Sequence, residues 1–349
     1  MSLKLLCAFS VPSVVKQKEK ILKLNNMQHL LEKYEHIRKL LKLDRDYPDR
    51  REFHKMLSPL LLEMTADKEF MKDIVKRNFS DEGYLKQVWS GYNIPFLYVY
   101  ENENFYLKVH LFPPEKDGRD NVAAHCIHHH NNYIITTNAF FGTGYESFLF
   151  EKNPITDPKT LDVDLKITKH FHQKDWNPSM VDSWEPHVVF IPKELSATLI
   201  IWSPDKKRGT DNLRQNPVLK SVKKPLRWLI HKLGLTNSLG IAAEKTYQFY
   251  PNPNGKGFKG IEEEEYFAPT KADKGPKVDE YSAQMIFAFI QRAGLFDEEF
   301  FKEHINIIPS YYHKFIDMCA SGEQIPDVYH RTVINVPQKT YFREDIEQA

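Results

Sequence analysis

The sequence is poor in cysteine, with Cys7, Cys126 and Cys319 in a chain of 349 residues. Their odd number and wide spacing exclude the disulfide framework that holds many small secreted proteins together. The chain also lacks an apolar run of the roughly 20 residues that a membrane-spanning helix needs. We therefore expect a cytoplasmic protein; the short apolar stretch from Leu5 to Val15 leaves a weak signal peptide as the open alternative.

Neither sign of charge dominates, because 48 lysines and arginines face 47 aspartates and glutamates, a formal net charge of +1. No overall field draws such a protein to nucleic acid or to a membrane surface, and we expect neither as a partner. A hydrophobic content of 41% and an aromatic content of 13% are enough for a sizeable core, so the composition is that of a folded protein.

Several catalytic signatures are missing. The sequence has no phosphate-binding glycine loop that follows a strand and opens a helix, and no Gly-x-Ser-x-Gly turn. It also has no paired-cysteine zinc signature and no His-Glu-x-x-His helix. The chemistry must therefore come from another arrangement of residues.

The periodicity of apolar residues predicts helices at both ends of the chain and strands between them. Residues 1–91 are predicted as an N-terminal helical region, in which the apolar stripe of residues 14–43 packs on the main domain or, alternatively, forms a homodimer. Short aromatic-rich strands over 92–204 predict an antiparallel β-barrel or jelly roll. Residues 205–277 read as a loop-rich excursion, basic and then acidic, and 278–349 as C-terminal helices on the barrel. The predicted fold class is α+β.

Histidines concentrate in the middle of the chain. Four of the 15 lie within six residues, namely His125, His128, His129 and His130. Imidazole binds Fe, Zn, Cu and Ni well, and it needs no costly deprotonation near pH 7. Side chains two apart on a strand share a face, so His128 and His130 can converge on one ion. His187, at the start of a later predicted strand, suits as a third ligand from elsewhere in the barrel.

Further candidate ligands follow the cluster. Glu146, after the predicted turn at Gly142 and Gly144, is the best carboxylate candidate. His170 and His172 share a polar face of a later strand, which is either the barrel lumen or the solvent side. With His125, these surplus histidines either hold a second metal ion or orient the ligands of the first.

The pair His128-x-His130, the later Glu146 and then His187 resemble the cupin superfamily over roughly residues 92–204. The first motif of that family supplies a His-x-His pair and usually a glutamate, and its second motif supplies another histidine. The resemblance implies a double-stranded β-helix with a divalent metal inside.

The resemblance also bears on function, because many cupins are non-heme Fe(II) oxygenases, in which open coordination positions let iron bind dioxygen and substrate together. We therefore expect an Fe(II)-dependent oxygenase, with one ion or two, that acts on a small organic molecule. Two alternatives stay open. The first is a hydrolase or isomerase that uses Zn or Ni, and the second is a binding module without catalysis.

Overall fold

The structure is a computed structural model that describes most, but not all, of the chain. The described residues are 33–89, 94–116, 121–122, 126–152, 154, 156–157, 159–173, 178–205, 246–266, 276–330, 336–338 and 341–349. His125, the stretch from Leu5 to Val15 and most of the predicted helix 14–43 lie outside them.

Helices open the described chain. They are α1 (Glu35–Asp46), α2 (Arg50–Ala66), α3 (Lys68–Ser80) and α4 (Glu82–Leu85). Among the aspartates that cap these helices, Asp49 accepts hydrogen bonds from the backbone N–H groups of Arg51 and Glu52, and Asp67 accepts one from Phe70. Such caps satisfy donors that the first turn of a helix leaves without a partner, which fixes where α2 and α3 begin.

Eleven strands follow in the described residues. They are β1 (Phe96–Glu101), β2 (Tyr106–Phe112), β3 (Tyr133–Phe141), β4 (Glu146–Phe150), β5 (Asp162–Val163), β6 (Ile167–His172), β7 (Ser179–Val181), β8 (His187–Phe190), β9 (Ser196–Pro204), β10 (Tyr247–Pro251) and β11 (Phe258–Glu262). They form three antiparallel sheets, ordered β1-β2-β9-β3-β7, β10-β11-β5 and β6-β4-β8. The α+β class is as predicted, but the described strands do not close into a barrel. Strands β10 and β11 lie where the sequence predicted loops.

Helices return after the strands. They are α5 (Glu263–Tyr266), α6 (Pro276–Arg292), α7 (Glu298–His304), α8 (Ser310–Ser321) and α9 (Arg343–Glu347). Within the described residues, none of the helices combines the length and apolar character that crossing a membrane requires. These elements do not test the division of the chain into four regions, which stays a prediction.

The five-stranded sheet has one face toward the helices and one toward a cavity. In β2, Leu107, Val109 and Leu111 are fully buried in the main hydrophobic core, together with apolar residues of α2, α3 and α6. The alternate residues of the same strand, Tyr106 and Lys108 among them, line the cavity. This alternation follows from the two-residue repeat of a strand.

A tight turn joins β3 to β4 and sets the wall of the cavity. Gly142 has φ +70°, and a Cβ on it would come within 2.3 Å of the carbonyl oxygen of Leu195. Only glycine fits such a position without moving the backbone. The turn predicted at Gly142 is therefore present, and it leads directly to Tyr145, which lines the cavity.

Candidate metal centre

The histidine segment is fixed by backbone bridges to two neighbouring strands. The N–H of His128 donates to the carbonyl of His187 at 3.0 Å, and the N–H of His187 donates to the carbonyl of His128 at 2.8 Å. Ile127 exchanges a similar pair of bonds with Phe249 of β10. The sequence predicted a strand here; the structure instead has isolated bridges, and the regular strand β3 begins at Tyr133.

Because His128 and His187 oppose each other in an antiparallel bridge, their side chains leave the backbone on the same face. The ring centroids of His128 and His187 are 4.4 Å apart, and each lies 4.8 Å from the centroid of His130. One nitrogen from each ring lies within 4.8 Å of the other two. Among the residues that the structure describes, this three-histidine group is the one that could hold a metal ion.

Two bends hold the group in place. Asn131 and Trp184 both have positive φ, of 52° and 60°, and the N–H of Trp184 donates to the carbonyl of Asn131 at 2.8 Å. Asparagine tolerates this conformation, whereas a bulky residue such as tryptophan adopts it only when its surroundings impose it. The bend at Trp184 directly precedes the stretch that carries His187, so local strain is placed beside the site.

Burial keeps the imidazole of His187 neutral. His187 is only 4% exposed, and burial lowers its pKa to about 4. The Nδ1–H of His187 donates to the carbonyl of Glu185 at 3.3 Å. With its proton held at Nδ1, the ring keeps a lone pair on Nε2, as metal-ligating histidines require.

A cavity of about 390 Å³ lies between the five-stranded sheet and the sheet β6-β4-β8. Its size is that of a pocket for one small molecule. The three histidines form part of its wall, and the ring of His130 lies 4.5 Å from that of Trp202. The other lining residues are Ile94, Phe96, Tyr106, Lys108, His110, Phe112, Ile135, Tyr145, Val181, Val189 and Ile200. None of these described residues carries a carboxylate.

Strand parity places Glu146 away from the three histidines. In the ladder of β4 with β8, Leu149 is opposite His187 and Ser147 is opposite Val189, so these residues share the cavity face. Glu146 is opposite Phe190 and therefore lies on the other face of the sheet. The carboxylate predicted as a fourth ligand is thus not a member of the group.

His170 and His172 lie on that same outer face, because they pair with Phe148 and Glu146 in the ladder of β4 with β6. His170 is hydrogen bonded to Glu146, whose other oxygen forms an ion pair with Arg343 of α9. The side chain of His170 is 52% exposed. His170 and His172 therefore lie on the face of the sheet that points away from the cavity. The structure does not bring them to the three-histidine group.

His129 points away from the group, as the two-residue alternation predicted. Its ring lies 5.3 Å from that of Trp184 and 6.3 Å from that of Phe249. Burial lowers its pKa, and its backbone N–H donates to the side-chain oxygen of Gln248. His129 therefore has the contacts of a core residue.

Two polar residues in the cavity wall were missed from the sequence, namely Lys108 and His110. The pKa of His110 is lowered to about 3 by burial and by the positive charge of Lys108, so its ring is neutral near pH 7. The signal was available in the strand Tyr106–Phe112, where polar and apolar residues alternate. This pattern places Lys108 and His110 on one face, although it does not say what that face borders.

Comparison with solved structures finds cupin and double-stranded β-helix proteins that cover about a third of this chain. The cupin domain of Schizosaccharomyces pombe Cnp3 is 12% identical, with a TM-score of 0.21 over 31% of this chain and 63% of the fission-yeast domain. A cupin protein from Bacteroides fragilis is 10% identical, with a TM-score of 0.20 over 30% of this chain and 68% of that protein. A hydroquinone 1,2-dioxygenase in complex with Cd²⁺ and 4-hydroxybenzonitrile is 10% identical, with a TM-score of 0.20 over 30% of this chain and 61% of the enzyme.

No family model and no curated protein matches the sequence. The likeness to solved structures therefore concerns the fold of the β region alone. In this chain, the described strands of that region form three antiparallel sheets between helices.

Proposed function

We propose that His128, His130 and His187 hold a divalent metal ion, and that the protein is a metal-dependent oxidoreductase of the non-heme Fe(II) type. The observation that carries the proposal is the convergence of three imidazoles, two of them almost fully buried, on the wall of a cavity large enough for a small molecule. The substrate would be a small organic molecule, and dioxygen its co-substrate.

The chain's own residues fit a metal ion. The neutral ring of His187 presents a lone pair, because burial disfavours its protonated form and the carbonyl of Glu185 accepts its other proton. The three histidines would hold the ion and leave coordination positions open, and iron bound there would supply the chemistry that activates dioxygen beside the substrate. The apolar and aromatic wall excludes water and suits an organic substrate.

The donor set favours a second candidate function. Three histidines without a carboxylate are also the ligands of a catalytic zinc ion, whereas many non-heme iron sites use two histidines and a carboxylate. Since Glu146 lies on the other face of the sheet, the described group contains imidazoles only. A hydrolase or isomerase dependent on Zn or Ni therefore stays the alternative.

The test combines metal analysis with an oxygen electrode. Untagged protein from iron-replete cells is expected to contain one iron per chain, and the apoprotein reloaded with Fe(II) is expected to consume oxygen with an organic substrate. His128→Ala should lose the metal while its circular dichroism spectrum stays that of the wild type. The matched control is His170→Ala, which removes an exposed imidazole from the outer face of the neighbouring sheet.

The outcomes separate the candidates. If the protein contains zinc or nickel instead of iron, and its turnover does not depend on oxygen, the result would favour the hydrolase or isomerase over the oxygenase. Full metal occupancy in His128→Ala, or equal loss in His170→Ala, would refute the proposed ligand set.

A further inference from the structure

The charge of the cavity wall bears on the substrate. Lys108 is the one lysine or arginine among the described lining residues, and no aspartate or glutamate accompanies it. The histidines in the wall cannot offset its charge, because an imidazole is either neutral or positively charged. The wall therefore presents a single fixed charge, which is positive.

Lys108 forms no ion pair with a carboxylate in the described part of the chain, and Glu101 acts on it only through Coulombic attraction. Its ammonium group lies over aromatic rings, 4.3 Å from the centroid of Phe96 and 5.0 Å from that of Tyr98. Cation–π contacts of this kind hold a cation in place but leave its charge uncompensated. Burial lowers the pKa of Lys108, because the loss of hydration of its ammonium group outweighs the Coulombic attraction of Glu101.

The position of Lys108 within the sheet relates it to the three histidines. Lys108 is opposite Ile200 in the ladder of β2 with β9, and the neighbouring pair on the same face is Tyr106 with Trp202. Trp202 lies against His130. Successive residues on one face of a strand are about 7 Å apart. The backbone of Lys108 is therefore about that far along the sheet from the pair Tyr106 and Trp202, of which Trp202 contacts His130.

The space between the two groups is aromatic. Phe96, Tyr106 and Trp202 line the cavity on the side of the five-stranded sheet, and Tyr145 lines it on the other. Flat rings stack well against such walls, and their burial from water favours binding.

We infer that the cavity selects a small aromatic carboxylic acid, with its carboxylate on the ammonium group of Lys108 and its other end toward the three histidines. The inference rests on the proposed function, whose substrate class it names. Lys108 acts in it as a specificity-determining residue. A carboxylate supplies the missing counter-ion, and a charge-assisted hydrogen bond to a sheltered ammonium group is stronger than one between neutral groups.

The test uses matched acids and amides as probes: benzoate, phenylacetate and 3-phenylpropanoate against the corresponding three amides. Isothermal titration calorimetry is carried out on chelator-treated protein and again on zinc-loaded protein. In the chelated wild type, at least one acid is expected to bind about tenfold or more tightly than its amide, since hydrogen bonds to charged groups reach that size. Lys108→Met, which keeps the length of the side chain, should abolish this preference.

Two control variants keep the test decisive. Lys108→Arg retains the positive charge and should keep most of the preference for the acid, so a general loss of binding in Lys108→Met is distinguishable from misfolding. Lys314→Met removes an exposed lysine that also lies over an aromatic ring, 5.7 Å from the centroid of Phe315, and should bind the acid as the wild type does.

Three results would overturn the inference: no acid bound at millimolar concentration, equal affinity for acid and amide, or a preference for the acid that survives in Lys108→Met. If the preference for the acid appears only in zinc-loaded protein and is unchanged in Lys108→Met, the carboxylate binds the metal instead. That result would also overturn the inference. If the chelated protein prefers the acid but no metal binds to the three histidines, the proposed function fails and the assignment of Lys108 stands.

Discussion

The two faces of the sheet β6-β4-β8 carry histidines in opposite environments. On the cavity face, His187 is almost fully buried and joins two other imidazoles with no carboxylate among them. On the outer face, His170 is half exposed and lies against Glu146, which is also paired with Arg343. The same residue type therefore has two roles, and the parity of the strand decides which one.

The physical difference between the two faces is the partner that each imidazole finds. The imidazole of His170 is hydrogen bonded to the carboxylate of Glu146, whereas the imidazole of His187 lies against the rings of His128 and His130. A buried histidine without an anion stays neutral and can coordinate. The comparison teaches that the number of histidines in a segment does not by itself mark a candidate metal site, because strand parity decides which of the rings come together.

The largest predicted effect is the loss of metal affinity when a histidine on the cavity face is removed. His187→Ala should weaken Zn²⁺ or Fe²⁺ binding by more than about 100-fold, because changes to groups that merely orient a ligand already cost about 10- to 100-fold. Titration calorimetry measures this affinity, and circular dichroism verifies the fold. A His187→Ala protein that binds metal within a few-fold of the wild type would remove the distinction between the faces.

A smaller effect is expected from the outer face. Arg343→Ala leaves the carboxylate of Glu146, whose side chain is 19% exposed, without its guanidinium partner. It also removes a guanidinium that lies 5.3 Å from the ring of Phe148 and 4.7 Å from that of Phe190. We expect the free energy of unfolding in urea to fall by about 2 kcal/mol, between the values for exposed and fully buried pairs.

Metal affinity serves as the internal control for Arg343→Ala, because α9 packs on the outer face. It should stay within about twofold of the wild type. A parallel loss of metal affinity would show that the two faces are coupled.

A third prediction concerns His54 of α2, which packs on the helix-covered face of the five-stranded sheet. Its ring is buried between the hydroxyls of Thr136, at 2.7 Å, and Ser203, at 2.6 Å. Burial lowers the pKa of His54 to about 3, against 6.5 for an unfolded histidine. At a pH between these two values, His54 is protonated in the unfolded chain but not in the native protein. The free energy of unfolding therefore rises with pH over this range.

The slope for this one group should be about 1.4 kcal/mol per pH unit, and stability should be lost as the pH falls from about 6.5 toward 3. Urea unfolding of the metal-free protein at several pH values measures it. His54→Gln should be less stable at pH 7 but should show a shallower slope. An unchanged slope in that variant would assign the pH dependence to other groups.

The smallest effect is predicted for His170→Ala. Its exposed pair with Glu146 should contribute less than about 1 kcal/mol to the free energy of unfolding, as exposed ion pairs generally do. Metal affinity should not change. A loss of metal affinity would give the outer face a part in the site, and a large loss of unfolding free energy would contradict the small contribution expected of this pair.

The sequence was a sufficient guide to the parts of the site that depend on local repeat. The spacing of His128 and His130 predicted a shared direction, and the centroids of their rings lie 4.8 Å apart. His187 was predicted from its place at the start of a strand, where the structure has it. These inferences needed only the alternation of side chains along extended backbone.

The position of Glu146 could not be predicted in this way, because both faces of its strand are apolar. Phe148 and Phe150 lie on the outer face and are buried in a second core cluster with Phe249 and Phe258 of the strands β10 and β11. A strand covered on both sides does not show from its alternation which face borders the cavity. Because the strands β10 and β11 that supply this cover were not predicted, the sequence did not show that the face of Glu146 lies away from the cavity.

Anomalous X-ray diffraction from crystals soaked with Fe²⁺ or Zn²⁺ tests the central claim most directly. The account predicts one strong peak per chain, at bonding distance from the imidazole nitrogens of His128, His130 and His187. A peak beside Glu146 and His170 instead, or no ordered ion at the three histidines, would contradict it.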